Sequence, residues 1–204
     1  AEKLFVALDT PAEVSIRLNP AKPAEVFEGE SVGWSPMGRY LAERPQFTLD
    51  PLMHGGAYYV QEASSQFVAH LLKDDNLDGG RILDMCAAPG GKTLVLANAL
   101  KGEGSLQSND RSPDRRERLR RVVMNSLPEN FAKIVTVSGY LGERFGRFRP
   151  ESFDKILVDA PCSSERHVMN SKEHLSMWSV GRIKRLAVEQ GSLLASAVDA
   201  LRPG

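Results

Sequence analysis

The residues with the clearest chemical potential lie in residues 84–93, which read Asp-Met-Cys-Ala-Ala-Pro-Gly-Gly-Lys-Thr. The apolar stretch 82–85 is typical of a short strand, and residues 92–100 are typical of an amphipathic helix. Gly90 and Gly91 would let the backbone approach a ligand that a Cβ atom would keep away. The amide groups at the helix start point into the same space. This turn predicts a nucleotide-like cofactor, and an ordinary tight turn is the alternative.

The glycine spacing excludes two common nucleotide-binding motifs. The G-x-G-x-x-G pattern of dinucleotide-binding turns is absent. Gly91, Lys92 and Thr93 resemble the end of a phosphate-binding P-loop, but that pattern would place its first glycine near Cys86, where there is none. The predicted cofactor is therefore neither a dinucleotide nor a nucleoside triphosphate held in the usual way.

Two carboxylates and a cysteine follow other predicted strands. Asp110 comes about twenty residues after the glycine turn, where an acid suits a ribose with two free hydroxyls, and a helix-capping role is the alternative. Asp159 ends the apolar stretch 153–159, and a buried carboxylate is costly unless it has a partner or ligand. Cys162 follows a proline in a loop, although a lone cysteine is often only a small buried hydrophobe. These three residues are candidates for binding or catalysis.

The predicted elements bring these loops to one place. Near-continuously apolar strands alternate with helices, which predicts an α/β fold with a parallel sheet covered on both faces. Right-handed crossovers place the carboxyl ends of all its strands along one edge. The predicted strands are residues 82–85, 105–108, 134–137 and 153–159. The loops expected at that edge are residues 87–92, 109–110, 140–142 and 159–163. The last helix, about residues 180–201, is expected to bury Ile183, Leu186, Ala187, Leu193, Leu194, Ala197 and Leu201.

The N-terminal part has a different character. Residues 14–18 alternate apolar and polar and predict a strand, and residues 47–49 suggest a second short strand. Glycines and prolines punctuate the rest, so we expect a small appended element without a core of its own. Residues 58–72 have helical spacing and predict a helix. We therefore divide the chain into an N-terminal extension, residues 1–57, and a main domain, residues 58–204.

Length and composition limit the class of protein to which the chain can belong. The chain has 204 residues, of which 42% are hydrophobic and 25% charged, as in ordinary globular proteins. No apolar run is long enough to cross a bilayer and no signal-peptide pattern opens the sequence, so we expect a cytoplasmic protein. Cys86 and Cys162 lie in different motifs, which argues against both a disulfide framework and a zinc site.

Basic residues cluster although the formal net charge is zero. Residues 111–121 contain a run of arginines, and Arg182, Lys184 and Arg185 form a second group. A nucleic acid would use such patches, although for either group alone a solvated helix face is the simpler interpretation.

Three motifs resemble those of the Sun/Nop-type RNA (cytosine-5) methyltransferases. They are residues 84–93, residues 109–115 (Asn-Asp-Arg-Ser-Pro-Asp-Arg) and residues 158–163 (Val-Asp-Ala-Pro-Cys-Ser). Residues 58–65 are similar to the family's entry helix. The stretch after Cys162 is most similar to the branch that acts on mitochondrial ribosomal RNA and its bacterial relatives.

The resemblance implies a Rossmann-like class I methyltransferase sheet with S-adenosylmethionine as cofactor and no metal. The turn would hold the cofactor's amino-acid end, Asp110 its ribose, and Asp159 the methionine moiety or the target base. The residues implied in cofactor binding are Cys86, Ala87, Ala88, Pro89, Gly90, Gly91, Lys92, Asp110, Arg115, Gly142 and Asp159. The residues expected to contact RNA are Arg166, His167, Arg182, Lys184 and Arg185. The implied partner is RNA, ribosomal RNA first, with or without a protein that delivers it.

The resemblance also implies the chemistry. Addition of a cysteine thiolate at cytosine C6 makes C5 nucleophilic enough to attack a methyl sulfonium, which is covalent catalysis. In the family a cysteine in a Thr-Cys motif attacks C6, and a cysteine in a Pro-Cys motif assists product release. Cys162 matches the second, with Asp159 beside it as the other implied catalytic residue. A cation such as Lys92 or Arg166 would favour a thiolate.

Two departures from the family pattern shape our expectations. Leu141 stands where the family usually has an acid that binds the adenine amino group. The Thr-Cys motif would lie on a fifth strand after Gly204, so we interpret the chain as an incomplete, C-terminally truncated catalytic core whose fourth strand is an unpaired edge. The alternatives are a non-catalytic cofactor- or RNA-binding module and a DNA cytosine-5 methylase, in which a Pro-Cys cysteine is the nucleophile.

Overall fold

The structure is a computed structural model that describes residues 6, 10, 13–24, 26–72, 77, 79–163, 176 and 178–203. Its first half contains a four-stranded antiparallel sheet in the order β2-β3-β1-β4. The strands are β1 (Val14–Leu18), β2 (Glu30–Ser31), β3 (Gly38–Leu41) and β4 (Tyr58–Val60). β1 agrees with the prediction from alternation.

This sheet has a small core of its own, contrary to expectation. Ile16, Phe47, Ala57 and Tyr58 are buried together. The rings of Phe27, Phe47 and Tyr58 pack with centroids 5.6 to 6.1 Å apart. Aromatic rings bury a large area per residue, which is why so short a segment can form a core.

Two predicted elements in this region were wrong. Phe47–Leu49 is a single turn of 3-10 helix rather than a strand, and Phe47 points into the small core. Residues 58–72 do not form one helix: they begin with β4, followed by a 3-10 turn, Ser64–Phe67, and a short helix, Val68–Leu71. Tyr58, Tyr59 and Val60 suit a strand, and pairing with β1 decides their conformation over the apparent helical spacing.

The second sheet has four parallel strands in the order β7-β6-β5-β8, which confirms the predicted parallel α/β fold. The strands are β5 (Arg81–Asp84), β6 (Ser105–Asn109), β7 (Val135–Ser138) and β8 (Lys155–Leu157). The helices are α1 (Pro51–His54), α2 (Val68–Leu71), α3 (Gly91–Leu100), α4 (Pro113–Ser126), α5 (Glu129–Ala132), α6 (Phe145–Phe148) and α7 (Val180–Ala200). Among these helices, none is both long and apolar enough to cross a bilayer.

Successive residues of β5 face opposite sides of the second sheet and bury two separate cores. Ile82 belongs to the cluster under α3 and α4, which includes Leu94 and Leu119. Leu83 belongs to the cluster under α6 and α7, which includes Phe145. Both faces of β5 are covered, and this explains why its sequence is almost continuously apolar.

Side-chain caps define two helices that carry site residues. Ser112 accepts a hydrogen bond from the Arg115 amide, and Pro113 occupies the first turn of α4, as predicted. Ser179 accepts a bond from the Arg182 amide and starts α7.

The inward face of α7 was predicted only in part. Leu193 and Ala197 are buried, but Ile183, Leu194 and Leu201 are 37%, 60% and 38% exposed. Residues 180–192 of α7 are exposed or half-buried, and its buried residues begin at Leu193, which belongs with Ala197 to the core under α6 and α7.

β8 lies at one end of the sheet order and pairs with β5. After α7 the chain turns back alongside it, and Leu201 forms an isolated parallel bridge with Phe153. The direction of this bridge continues the parallel arrangement of the sheet.

Candidate cofactor-binding and catalytic site

The glycine turn between β5 and α3 is packed on both sides. Gly90 has φ 122°, a conformation that side chains other than glycine rarely adopt, and an added Cβ would lie 3.0 Å from Val122. A Cβ at Gly91 would lie 2.9 Å from the Tyr59 ring. β4 of the first sheet and α4 of the second therefore hold the turn between them.

Asp84 is fully buried at the carboxyl end of β5. Its Oδ2 accepts a hydrogen bond of 2.7 Å from the Thr93 hydroxyl in the first turn of α3. Its Oδ1 has no partner among the described residues. Burial raises the pKa of this carboxyl to about 7. We did not single out Asp84 from the sequence, although an acid that ends a buried strand beside a glycine turn was the available signal.

Asp110 lies at the end of β6 and is only 4% exposed. Its Oδ1 accepts from the Ser112 amide at 2.9 Å, so it does help to turn the chain into α4. Its Oδ2 lies 3.3 Å from the guanidinium of Arg115, which also donates to the Ala88 carbonyl at 2.7 Å. Arg115 thereby joins the Asp110 turn to the glycine turn.

Asn109 was missed from the sequence. Its amide group donates to the carbonyls of Met85 and Tyr140 at 3.2 and 3.0 Å, and its Oδ1 accepts from the Tyr140 amide at 2.8 Å. One buried side chain thus connects the loops after β5, β6 and β7. An asparagine at a strand end gives no sequence signal for such long-range bonds.

Asp159 differs from expectation. β8 ends at Leu157, and the Asp159 side chain is 52% exposed rather than buried. Its carboxylate pairs with the ammonium of Lys92 at 2.7 Å. The apolar run suggested a longer strand, but the chain leaves the sheet where Ala160 and Pro161 follow.

The two cysteines lie in different environments. Cys86 is half-buried in the glycine turn, and burial, followed by the nearby Asp110 carboxylate, raises the pKa of its thiol to about 11. Cys162 is exposed. A raised pKa leaves little thiolate near neutral pH, so Cys86 is a poor nucleophile.

A cavity of about 180 Å³ lies between the two sheets at this edge. It is lined by Tyr59, Val60, Gln61, Glu62, Ser65, Asp84, Cys86, Ala87, Ala88, Pro89, Gly91, Lys92 and Asp159. The structure therefore brings together most of the predicted turn residues with Asp159, and adds a wall from β4 that the sequence did not predict. A larger open groove of about 870 Å³ runs between β6, β7 and residues 139–149, and the predicted cofactor residues do not line it.

Gly142 is buried beneath α7 rather than in the cavity. An added Cβ would lie 2.5 Å from Leu193, and the Gly142 carbonyl accepts from the Ser196 hydroxyl at 2.9 Å. Leu141 is 40% exposed. The contacts of Gly142 hold the loop after β7 against α7.

The residues predicted to contact RNA are only partly described. Arg166 and His167 lie outside the described residues. Lys184 and Arg185 are exposed and Arg182 is half-buried, all in the N-terminal third of α7. Further along the helix, Glu189 pairs with Arg111 at 3.2 Å and the Gln190 side chain donates to the Pro161 carbonyl at 2.7 Å. α7 thus contacts both rims of the edge that carries the site.

No group of three or more histidine, cysteine, aspartate or glutamate side chains in the described part of the chain is placed to hold a metal ion. A parallel sheet with a glycine turn after β5 and an acid after β6 is the Rossmann-like arrangement typical of S-adenosylmethionine-dependent methyltransferases, and a solved methyltransferase homolog shares this fold.

Sequence comparison then gives the family. Residues 69–204 match the family described as 16S rRNA methyltransferase RsmB/F, and residues 1–63 match the N-terminal domain of 16S rRNA methyltransferase RsmF. The chain belongs to the 16S rRNA methyltransferase RsmB/F family. The resemblance to Sun/Nop-type enzymes is thereby confirmed.

Individual relatives agree. The ribosomal RNA small subunit methyltransferase F of Pectobacterium atrosepticum is 36% identical over 217 residues, an alignment that covers 100% of this chain and 44% of the relative. The chain spans about half the length of the curated relatives it matches. The crystal structure of PH0851 has a TM-score of 0.85 at 26% identity and covers 100% of this chain and 47% of that one. A methyltransferase homolog from Pyrococcus horikoshii has a TM-score of 0.75 at 28% identity, covering 99% and 65%.

Proposed function

We propose that the chain forms the S-adenosylmethionine-binding core of a cytoplasmic enzyme that methylates cytosine C5 in RNA, ribosomal RNA first. The observation that carries this proposal is the convergence of the Gly90 turn, Asp84 and Asp110 at the ends of two adjacent parallel strands. The names of the relatives support the RNA and the reaction.

The residues at this edge fit the cofactor. S-adenosylmethionine carries an ammonium group and a ribose diol, and both favour nearby carboxylates. Asp84 offers a buried oxygen without a partner among the described residues, and Asp110 is a buried carboxylate with unused acceptor capacity. The turn at Gly90 and Gly91 provides the close backbone approach, which a Cβ would fill. When bound, the cofactor supplies an electrophilic methyl group on a sulfonium.

The residues proposed to hold the cofactor keep the roles expected from the family. Residues 86–92 would hold its amino-acid end, Asp110 the ribose, and Arg115 would fix the Asp110 turn against the Ala88 carbonyl. Gly142 would contribute indirectly, because the absence of a side chain lets the loop after β7 pack on α7.

The proposed catalytic residues are Asp159, which lines the cavity, and Cys162, which does not. Lys92 holds the Asp159 carboxylate at the rim, where a carboxylate can accept a hydrogen bond from the exocyclic amino group of cytosine. Cys162 follows three residues later on an exposed loop. In our proposal its thiol assists product release, and the attack on C6 belongs to another thiolate.

RNA would reach this edge along the N-terminal third of α7. Arg182, Lys184 and Arg185 lie in the turns of α7 that precede Glu189 and Gln190, the two residues that contact the loops after β6 and β8. Cations in that position can bind backbone phosphates while a base enters the cavity.

One observation favours a second candidate, a cofactor-binding module without turnover. Cys162 does not line the cavity that contains Lys92 and Asp159. A thiol outside the cavity is poorly placed for attack, since a misplacement of about 1 Å can cost on the order of a hundredfold in rate. The family membership gives no support to the third alternative, a DNA cytosine-5 methylase.

A binding measurement tests the cofactor assignment. Asp110→Ala should weaken S-adenosylmethionine binding by about 1–3 kcal/mol, because the ribose hydroxyls lose a charged acceptor. Asp114→Ala, an exposed acid in the first turn of the same helix, is the matched control. Unchanged calorimetric affinity of Asp110→Ala in a folded protein would contradict the ribose assignment.

A transfer assay separates the two candidate functions. We expect the chain to bind labelled S-adenosylmethionine but to transfer little methyl label to a pool of ribosomal and transfer RNA. Robust transfer that disappears in Cys162→Ala would instead make Cys162 the nucleophile.

A further inference from the structure

The wall that β4 adds to the cavity contains a glutamine in an unusual setting. Gln61 lies directly after β4 and is only 6% exposed, yet it lines the cavity that also contains Lys92 and Asp159. The side chain of Arg17 on β1, also 6% exposed, contacts it. The Arg17 Nε donates to the Gln61 Oε1 at 3.1 Å.

Arg17 is a buried cation without a carboxylate partner in the described part of the chain. Burial lowers the pKa of its guanidinium to about 10, and the proximity of Tyr59 acts in the opposite direction. A guanidinium has only donors, so the oxygen of the Gln61 carboxamide is the atom that can face it. Arg17 therefore fixes which way the carboxamide points.

The opposite end of the carboxamide faces the glycine turn. A Cβ added to Gly91 would lie 3.1 Å from Gln61 Nε2, so the amino group stands against the bare backbone of the turn. Rotating the carboxamide would bring two donors, its own amino group and the guanidinium, face to face. The amino group is thus held toward the cavity side.

The backbone of Gln61 is fixed as well. Its carbonyl accepts from the Ser15 hydroxyl at 2.7 Å and from the Gln66 side chain at 3.1 Å. Its amide donates to the Ser15 carbonyl at 3.2 Å. Every other polar group of this residue is engaged within the first sheet, whereas Nε2 has no acceptor among the described residues.

We infer that Gln61 Nε2 donates a hydrogen bond to a carboxylate or carbonyl oxygen of the molecule bound in this cavity, and that Arg17 is its positioning residue. A donor that is fixed before binding loses little conformational freedom when its acceptor arrives. The inference rests on the proposed function, which supplies two acceptors of this chemistry: the carboxylate of S-adenosylmethionine and the O2 carbonyl of the pyrimidine.

The decisive variant is Gln61→Glu, which has the same shape. Its carboxylate keeps the Arg17 partner, so the melting temperature should be unchanged or higher, but it faces the ligand's acceptor oxygen with a negative charge. Affinity for the ligand should fall by about tenfold or more. Gln107→Glu is the control, because Gln107 donates to Ser138 on the second sheet and does not line this cavity.

Calorimetry with three ligands identifies the acceptor. If it is the cofactor's carboxylate, Gln61→Glu weakens S-adenosylmethionine but leaves 5′-methylthioadenosine, which lacks the amino-acid end, unchanged. If it is the base, the cofactor's affinity is unchanged and that of a cytosine-containing single-stranded RNA oligonucleotide falls. If the folded Gln61→Glu variant binds both S-adenosylmethionine and the oligonucleotide as tightly as the wild-type chain does, the inference is wrong and the proposed function still stands. A wild-type chain that binds neither would overturn the proposed function with it.

A double-mutant cycle tests the role of Arg17. Arg17→Met should weaken ligand binding about threefold to tenfold in the wild-type background and have no further effect in Gln61→Ala, because it acts through the orientation of that carboxamide. Equal losses of affinity in both backgrounds would mean that Arg17 supports only the fold.

Discussion

The two sides of the cavity edge differ sharply in how they are built. On the cofactor side, Asp84 is fully buried and Asp110 is 4% exposed, and both are bonded to the start of the following helix. On the reacting side, Asp159 is 52% exposed and Cys162 is exposed. The contacts that connect this side to the rest of the described residues include an ion pair from Asp159 to Lys92 and a hydrogen bond from Gln190 to Pro161.

In the proposed function, this difference separates the residues that bind the cofactor from those that react. The polar groups of the cofactor side are buried and bonded within the fold, so substitutions among them should change the free energy of unfolding strongly, in either direction. The side chains of Asp159 and Cys162 are exposed, so substitutions there should affect chemistry far more than stability. Three substitutions test this contrast, in order of decreasing effect on the free energy of unfolding.

Asp84→Asn should give the largest change. The folded-state pKa of Asp84 is raised to about 7 from an ordinary 3.8, so the native state binds more protons than the unfolded state between these values. Wild-type stability should therefore fall as pH rises from about 4 to 7. Asparagine keeps the bond to Thr93 without the charge, and should be more stable than wild type at pH 8 by on the order of 2–4 kcal/mol.

Urea unfolding at pH 4 and pH 8 measures this change, with the exposed Asp114→Asn as the control. The advantage of Asp84→Asn should shrink toward zero at pH 4. A constant difference at both pH values would mean that Asp84 does not titrate in this range.

Gly90→Ala should follow. A side chain at φ 122° is strained by about 1–3 kcal/mol, and its Cβ would press on Val122 and Leu119. Gly191→Ala is the matched control in the middle of α7, where a Cβ meets nothing within 4 Å and should stabilise the helix by about 0.5–1 kcal/mol. Thermal unfolding of both variants should give opposite signs, and two changes of the same sign would contradict the structure of the turn.

Asp159→Asn should have the smallest effect. Its partner Lys92 and the carboxylate itself are 22% and 52% exposed, and an exposed ion pair contributes about 0–1 kcal/mol. Denaturant unfolding should thus barely change. A loss as large as that of Gly90→Ala would show that the reacting side is as tightly integrated as the cofactor side.

The sequence predicted the elements whose signals are local. The turn at Gly90, the Ser112-Pro113 start of α4 and the apolar strands of the parallel sheet each depend on neighbouring residues. Several of the misses depend on distant partners. β4 is a strand because it pairs with β1, and the positions of Gln61 and Arg17 become meaningful only when residues 44 positions apart meet.

The sequence also did not reveal which residues of the strands and helices would be exposed. An apolar run shows that a strand exists but not where the chain leaves the sheet, so Asp159 was expected to be buried. The same holds for α7, where helical spacing does not reveal that residues 180–192 are exposed or half-buried.

The first sheet has a consequence for the order in which the protein is made. Its four strands lie entirely within residues 14–60, and the turn they press against begins about thirty residues later. At about 5–20 residues per second, a ribosome needs a few seconds to add that segment. β4 therefore leaves the ribosome a few seconds before the glycine turn does, and the emerging turn can fold against a wall that is already present.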